Sequence, residues 1–574
     1  MNLDGVWAFK ADSAGIGVRE HWHRADTDRS GWDACSVPQS WSSHKLKQYD
    51  GSGWYARVFD FEADAGASYA VVLDAVDDRS DVWFNGERIG SHAGYGRRMY
   101  CDVTTLLKSS ANVLLVRVVD LAGPDGMIGS VKIMRYKNEE ELIQSDWHNK
   151  PIVRSPDWVR DAVIYEIFPR VFSKDGSLAG VERRIPELRD LGVTVLWLMP
   201  IHPIGVKNRK GVLGSPYSVR DYLSVNAEYG NLTDVQSLVR AAHDAGMKVI
   251  IDVVANHTAW DNEMISSHPE WYTRDARDHI IPPIGEWSDV ADLDYSNMQL
   301  RRFVSDMLLF WIDSVGLDGF RCDVAEMVPC DFWRAAFAEL RLKKELFLLA
   351  EGSTPDLHVD AFDMTYAWNT YDILPTLLDG SESVCSFDEA LRRERLLMPA
   401  GALRMRFTTN HDKNAYDAPA IERYGPDASK AVAVLLHLLP GVPLIYNGQE
   451  VGSDTRLGLF EKESIDWTSD THGFRDLYTQ LNTLRREHAA LRRGSLIAKS
   501  VSAYPSLYLG IREYDGECIF FAVNLGASPL EATVHDSSLA GFARVFGNCA
   551  CNPDADRLDM KVPAYGYFVG RKKG

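Results

Sequence analysis

The run Leu232-Thr233-Asp234-Val235-Gln236-Ser237-Leu238-Val239-Arg240-Ala241-Ala242-His243-Asp244-Ala245-Gly246-Met247-Lys248-Val249-Ile250-Ile251-Asp252-Val253-Val254 holds one whole structural unit. Leu232, Val235, Leu238 and Val239 recur at helical spacing and share a face, Gly246 ends the helix, and Val249 to Val254 follow as a strand apolar on both sides. The unit repeats. Ile185, Leu188 and Leu191 precede Gly192 and the run Val193 to Met199; Phe303 through Trp311 leads to Gly316 and then Gly319-Phe320-Arg321-Cys322-Asp323; a fourth ends in Leu346-Phe347-Leu348-Leu349-Ala350-Glu351. Amphipathic helices alternating with apolar strands make parallel βαβ units, and more than about 200 residues of them favour a closed (β/α)8 TIM barrel over an open sheet. The fold class read from the sequence is therefore α/β, with the barrel over residues 157–485.

Outside the barrel the texture changes. Residues 1–135 read as short alternating strands, among them Trp54 to Phe59, Tyr69 to Leu73, Asp81 to Phe84 and Val113 to Val118, with Asn85-Gly86 as a hairpin turn, so an N-terminal antiparallel β-sandwich is expected. Residues 136–156 read as a linker, and 486–574 as a C-terminal all-β domain, with strands such as Ile519 to Asn524.

A chain of 574 residues is too long for one core. Its 81 acidic against 62 basic residues give a net charge of −19, which repels nucleic acid and anionic membrane and suits a neutral substrate. No run of about 18 apolar residues reads as a membrane span. The opening MNLDGVWAFK lacks a basic and apolar leader, so a cytoplasmic location is expected. The eight cysteines have no zinc-ligand spacing and read as reduced thiols.

Strand ends at the C-terminal face of such a barrel build its active site. Asp252, Asp323, Glu351 and Asp412 each follow an expected strand, the last one after Phe407-Thr408-Thr409-Asn410-His411. A single such acid is ordinarily a helix cap or ion-pair partner. Four converging on one mouth repel one another, an arrangement that function explains and packing does not. Glycoside hydrolysis uses paired carboxylates in this way, one attacking or activating water and one protonating the leaving oxygen. Arg321, two residues before Asp323 on the same strand face, is expected to hold that carboxylate ionised, and the apolar strand before Glu351 to raise its pKa toward that of a general acid.

At these residues the chain resembles glycoside hydrolase family 13, the α-amylase family. Asp252-Val253-Val254-Ala255-Asn256-His257, Gly319-Phe320-Arg321-Cys322-Asp323, Glu351 and Thr409-Asn410-His411-Asp412 resemble its four central signatures, and Val195 to Pro200, Ala291 to Asp294 and Gly441 to Glu450 its flanking ones. The resemblance implies Asp323 as nucleophile, Glu351 as acid/base, Asp412 as transition-state stabiliser and Arg321 as orienter of the nucleophile. It also implies that Asp252, His257, His411 and Tyr217 bind substrate, Tyr217 by stacking on the sugar ring. Asp323 and Glu351 are then expected about 5 Å apart, the spacing of a retaining enzyme. The chemistry needs no cofactor. Calcium, often bound in the family at the position of Asn256, has Asp275, Asp278 and Asp289 nearby in sequence.

Three departures narrow the expectation. Glu326 and Met327 stand where many α-amylases place a lysine and a histidine against the acceptor-side sugar, and Val324 resembles the cyclomaltodextrinase, neopullulanase and oligo-1,6-glucosidase branches. Maltooligosaccharides, cyclodextrins or branched α-glucans are therefore the expected substrates. The segment 258–296 is short for the family's protruding domain B, and its Trp260, Trp271, Tyr272 and Trp287 either line a cleft or pack as core. The N-terminal domain resembles the galactose-binding-like jelly roll at the head of family 2 glycosidases, and sugar binding, walling of the cleft or formation of a homodimer are open roles for it. An α-glucan transglycosylase, a non-catalytic glycan-binding protein and a β-glycosidase are the alternatives.

Overall fold

In the computed structural model, which describes residues 1–39, 51–76, 79–93, 97–120, 126–553 and 557–572, a parallel sheet closes on itself. Its strands are β1 (Ile164–Ile167), β2 (Val195–Leu198), β3 (Lys248–Val253), β4 (Gly319–Cys322), β5 (Phe347–Ala350), β6 (Met364–Tyr366), β7 (Leu403–Arg406) and β8 (Val442–Tyr446). They pair in chain order, and β1 closes the ring on β8 with Tyr165 opposite Ile445. This is the expected (β/α)8 barrel.

The helix Leu232–Asp244 shows how the sequence enforces the unit. Asn231 and Asp234 form a reciprocal capping box at its start, and Val235, Leu238, Val239 and Ala242 bury its inner face. Gly246 takes a left-handed backbone (φ +79°) that lets the chain reverse into β3. Because successive strand residues point to opposite faces, each barrel strand serves two cores. Val249, Ile251 and Val253 of β3 pack outward with the helices, whereas Ile250 joins Ile164, Trp197, Phe347, Leu349, Met364, Met405 and Leu444 inside the barrel. Gly319 at the start of β4 has φ +149°, and a Cβ there would lie 1.8 Å from the Phe347 carbonyl oxygen, so β4 and β5 approach as closely as they do only because it lacks a side chain.

After the barrel, a five-stranded sheet containing Leu507–Tyr514, Glu517–Asn524 and Tyr567–Lys572 faces a three-stranded one of Leu530–Val534, Leu558–Val562 and Ala550–Pro553. Tyr508, Phe521, Val523 and Val569 pack with the barrel's helical layer, while Leu507, Leu509, Phe520 and Phe568 fill the sandwich core.

The chain divides into two compact units, Met1–Lys150 with Arg395–Met398, and the remainder, which holds the barrel. The first unit contains a six-stranded sheet and a three-stranded one, Arg97–Asp102, Ser68–Val76 and Val131–Tyr136, around Trp7, Phe9, Tyr55, Leu73, Phe84 and Val116. Asn85 (φ +52°) and Gly86 (φ +90°) form the two-residue turn expected from their sequence. The expected linker carries a short helix, Glu139–Ile143, whose Leu142 packs on Ala70 and Val72. No helix among the described residues is long and apolar enough to cross a membrane.

Candidate active site

The strand pleat that sends Ile250 into the barrel also sends in Asp252, two residues nearer the C-terminal mouth. The same alternation points Arg321 and Asp323 inward at the end of β4, Glu351 at the end of β5 and Glu166 on β1. Arg321 is fully buried and lies at the centre of this ring. Its Nη1 donates to Asp252 Oδ1 at 2.8 Å and to Asp323 Oδ1 at 2.9 Å, and its Nε donates to the Tyr366 hydroxyl at 3.1 Å. Nη2 lies 2.9 Å from Glu351 Oε2, an ion pair without hydrogen-bond alignment. Asp323 and Glu351 thus lie against the two terminal nitrogens of one guanidinium.

Burial dominates the electrostatics. It lifts the carboxyls of Asp252 and Asp323 from 3.8 to about 6, against the opposing pull of Arg321. One guanidinium divided among three acids does not fully offset the desolvation of each, but it opposes the rise at Asp323, whose carboxyl at about 6 is mostly ionised at pH 7. Burial also pushes Glu351 up to about 7, Arg321 opposing and Asp323 and Asp412 adding to the rise. Asp323 therefore gives up its proton before Glu351 does.

Opposite them, His411, 1% exposed, stacks on Tyr217 with ring centroids 5.3 Å apart. Its Nε2 is 2.7 Å from the Tyr217 hydroxyl and 3.3 Å from Asp412 Oδ2, and its Nδ1 is 2.5 Å from Glu166 Oε1. The Tyr217 hydroxyl also donates to Asp252 Oδ2 at 3.0 Å. His257 is buried, accepts from Asn256 Nδ2 at Nδ1 (3.3 Å) and meets the edge of Trp287; burial pushes its imidazole down to about 4, so it is neutral at pH 7. The structure thus gathers Asp252, Arg321, Asp323, Glu351, His411, Asp412 and Tyr217 through direct contacts, with His257 following β3.

Several placements differ from the sequence expectation. Asp412 does not end a strand: β7 stops at Arg406, Phe407 to Asn410 form a loop, and His411 and Asp412 open a helical turn in which Asn410 Oδ1 accepts the Lys413 N–H. Glu326, at the position where many α-amylases place a lysine, is engaged by its own protein. Its Oε1 takes the backbone N–H of Ser353 and of Thr354 (2.8 Å), bracing the turn that follows Glu351. Trp271 and Tyr272 are core residues, whereas Trp260 and Trp287 are half-exposed.

The structure also adds groups that the sequence reading did not name. Glu166 reaches His411 from β1; its polar side chain inside the apolar run Ile164–Ile167 was the available signal. The Val324 N–H donates to Glu351 Oε2 at 2.7 Å, from a left-handed backbone (φ +37°) that is strained for a β-branched residue. Nothing in the sequence marks that conformation.

The residues considered for calcium do not fit a calcium cage. Asp289 is held by Lys210 Nζ at 2.9 Å, Asp275 Oδ1 accepts the backbone N–H of Arg277 and of His279, and Asn256 is turned to His257. Calcium needs six to eight oxygens converging on one point. Among the described residues no three acidic, histidine or cysteine side chains do so.

With this geometry in hand, comparison with known proteins divides the chain in the same order. Residues 166–342 match the family model "Alpha amylase, catalytic domain", and residues 1–132 match "Glycosyl hydrolases family 2, sugar binding domain". Alpha-amylase MalA of Haloarcula japonica is 30% identical over 352 residues, 59% of this chain; the chain spans 50% of that protein's length. Neopullulanase 2 of Thermoactinomyces vulgaris is 26% identical over 70% of this chain and 77% of its own. The crystal structure of an alpha-amylase from Lactobacillus plantarum superposes with a TM-score of 0.65 at 30% identity, covering 73% of this chain and 100% of that one.

Proposed function

The chain belongs to the α-amylase family of glycoside hydrolases, and from that premise we propose that it cleaves α-glucosidic bonds of maltooligosaccharides, cyclodextrins or branched α-glucans with retention of the anomeric configuration. The Asp323 carboxylate attacks the anomeric carbon as the bond to the leaving oxygen breaks. The departing electron pair takes the proton of Glu351, which leaves a glycosyl ester on Asp323 and an ionised Glu351. Glu351 then removes a proton from water, whose oxygen attacks the same carbon, and the ester bond breaks to restore the Asp323 carboxylate. Asp412 stabilises the positive charge on the ring, Arg321 holds Asp323 for attack, and Asp252, His257, His411 and Tyr217 bind the sugar at the cleavage point.

The single observation supporting this division of labour is the pairing of Asp323 and Glu351 across one guanidinium, with Glu351 keeping its proton to higher pH. Residues 157–485 are assigned to catalysis, with 258–296 as a small protruding segment. Residues 1–135 are assigned to an accessory β-sandwich, 136–156 to its connection and 486–574 to a second β-sandwich.

Proton NMR of the first product anomer, with maltotriose, panose, pullulan and cyclodextrins as substrates and Asp323→Asn as the blank, tests the reading. A retained α-anomer is expected. An inverted anomer removes Asp323 from its role, and products longer than maltotriose identify transglycosylation by sugar capture of the ester.

A further inference from the structure

Glu166, on β1, is a buried acid without a role in the mechanism above. It is completely buried, its Oε1 lies against His411 Nδ1, and its Oε2 has no hydrogen-bond partner among the described residues. A buried carboxylate with one bare oxygen is costly unless a positive charge compensates it. The contacts around His411 say where that charge resides.

Proton counting along the chain of contacts is restrictive. Ionised Asp252 only accepts, so the single proton of the Tyr217 hydroxyl is spent on Asp252 Oδ2. The Tyr217 oxygen, 2.7 Å from His411 Nε2, must then accept a hydrogen bond from an N–H at that nitrogen. On the other side lies Glu166, whose carboxyl burial raises while His411 and Arg321 oppose the rise; with Glu166 ionised, Nδ1 carries a proton as well. We propose that Glu166 is a positioning residue that keeps His411 doubly protonated, so that a fixed positive charge, anchored through Nε2 on the Tyr217 oxygen, stands beside Asp412 where the sugar binds. The inference rests on the functional reading above for the identity of the ligand, but the protonation of His411 can be tested without it.

Of the charged groups facing the imidazole, the acids outnumber the cation. Glu166 from β1 and Asp412 from its own loop touch it, and Asp252 of β3 lies beyond Tyr217, while Arg321 of β4 is the opposing cation. Burial pulls the imidazole down, and the two touching carboxylates outweigh it and push it up to about 9. Replacing Glu166 by glutamine keeps an acceptor for Nδ1–H and removes one of those two charges.

The test is histidine NMR of the whole chain, with the His411 resonance identified by its loss in His411→Asn. In the parent protein His411 is expected to stay doubly protonated above pH 8, and in Glu166→Gln to lose its proton at least one pH unit lower, with Glu166→Asp between them. In maltotriose hydrolysis, Glu166→Gln is expected to lower kcat at least tenfold with a smaller change in KM. A parent His411 that loses its proton below pH 7, or an unmoved titration in Glu166→Gln, overturns the inference. Should the glutamine variant not fold, the parent titration and Glu166→Asp decide. A parent that cleaves no α-glucoside would sink the functional reading alone, since the titration is read without turnover.

Discussion

Replacing Asp323 with asparagine should remove activity and, at neutral pH, stabilise the barrel. The carboxyl is lifted by burial from 3.8 to about 6, so ionising it in place costs on the order of 3 kcal/mol relative to the unfolded chain. The sign follows from linkage: the folded pKa is raised, so the stability contribution is fully present below about pH 4 and is lost as pH climbs through about 6. Asparagine never ionises and escapes that loss. The unit that holds the barrel has about 420 residues, for which about 3 kcal/mol corresponds to a Tm change of roughly 3 °C. Scanning calorimetry of both proteins from pH 4 to pH 7.5 should therefore show the variant gaining about 3 °C on the parent across that range, while hydrolysis falls on the order of 10³-fold or more. A constant Tm difference over the same range would refute the argument that burial, rather than Arg321, sets the state of this group.

Further outcomes follow from the same geometry. Because Asp323 must be ionised and Glu351 protonated, kcat/KM should trace a narrow bell with limbs near pH 6 and pH 7; a plateau extending to pH 9 would remove Glu351 as the proton donor. Gly319→Ala places a Cβ 1.8 Å from the Phe347 carbonyl oxygen, so a loss of more than about 4 kcal/mol or a failure to fold is expected, and a variant with the parent's Tm would contradict the described approach of β4 and β5. Excess EDTA should leave Tm and activity unchanged, since Asp289 and Asp275 are already held by Lys210 and by backbone amides; a drop of several degrees reversed by calcium would show a site that this geometry lacks.

What the sequence determined by itself was local. The helix-glycine-strand period around Leu232 to Val254 settled the barrel, because side-chain direction in helices and strands has fixed periods that burial makes visible. Asp252, Asp323 and Glu351 were legible as strand-end acids for the same reason. Closure of the ring was needed for the rest. Glu166 and His411 are 245 positions apart and meet only because β1 seals the barrel beside β8. The left-handed turn at Val324, the bracing of the Glu351 loop by Glu326 and the end of β7 at Arg406 depend on hydrogen bonds between segments that no local pattern joins. How far the two central acids are lifted above their ordinary range is likewise a tertiary property, because desolvation and a shared guanidinium act only once distant strand ends are gathered at one mouth.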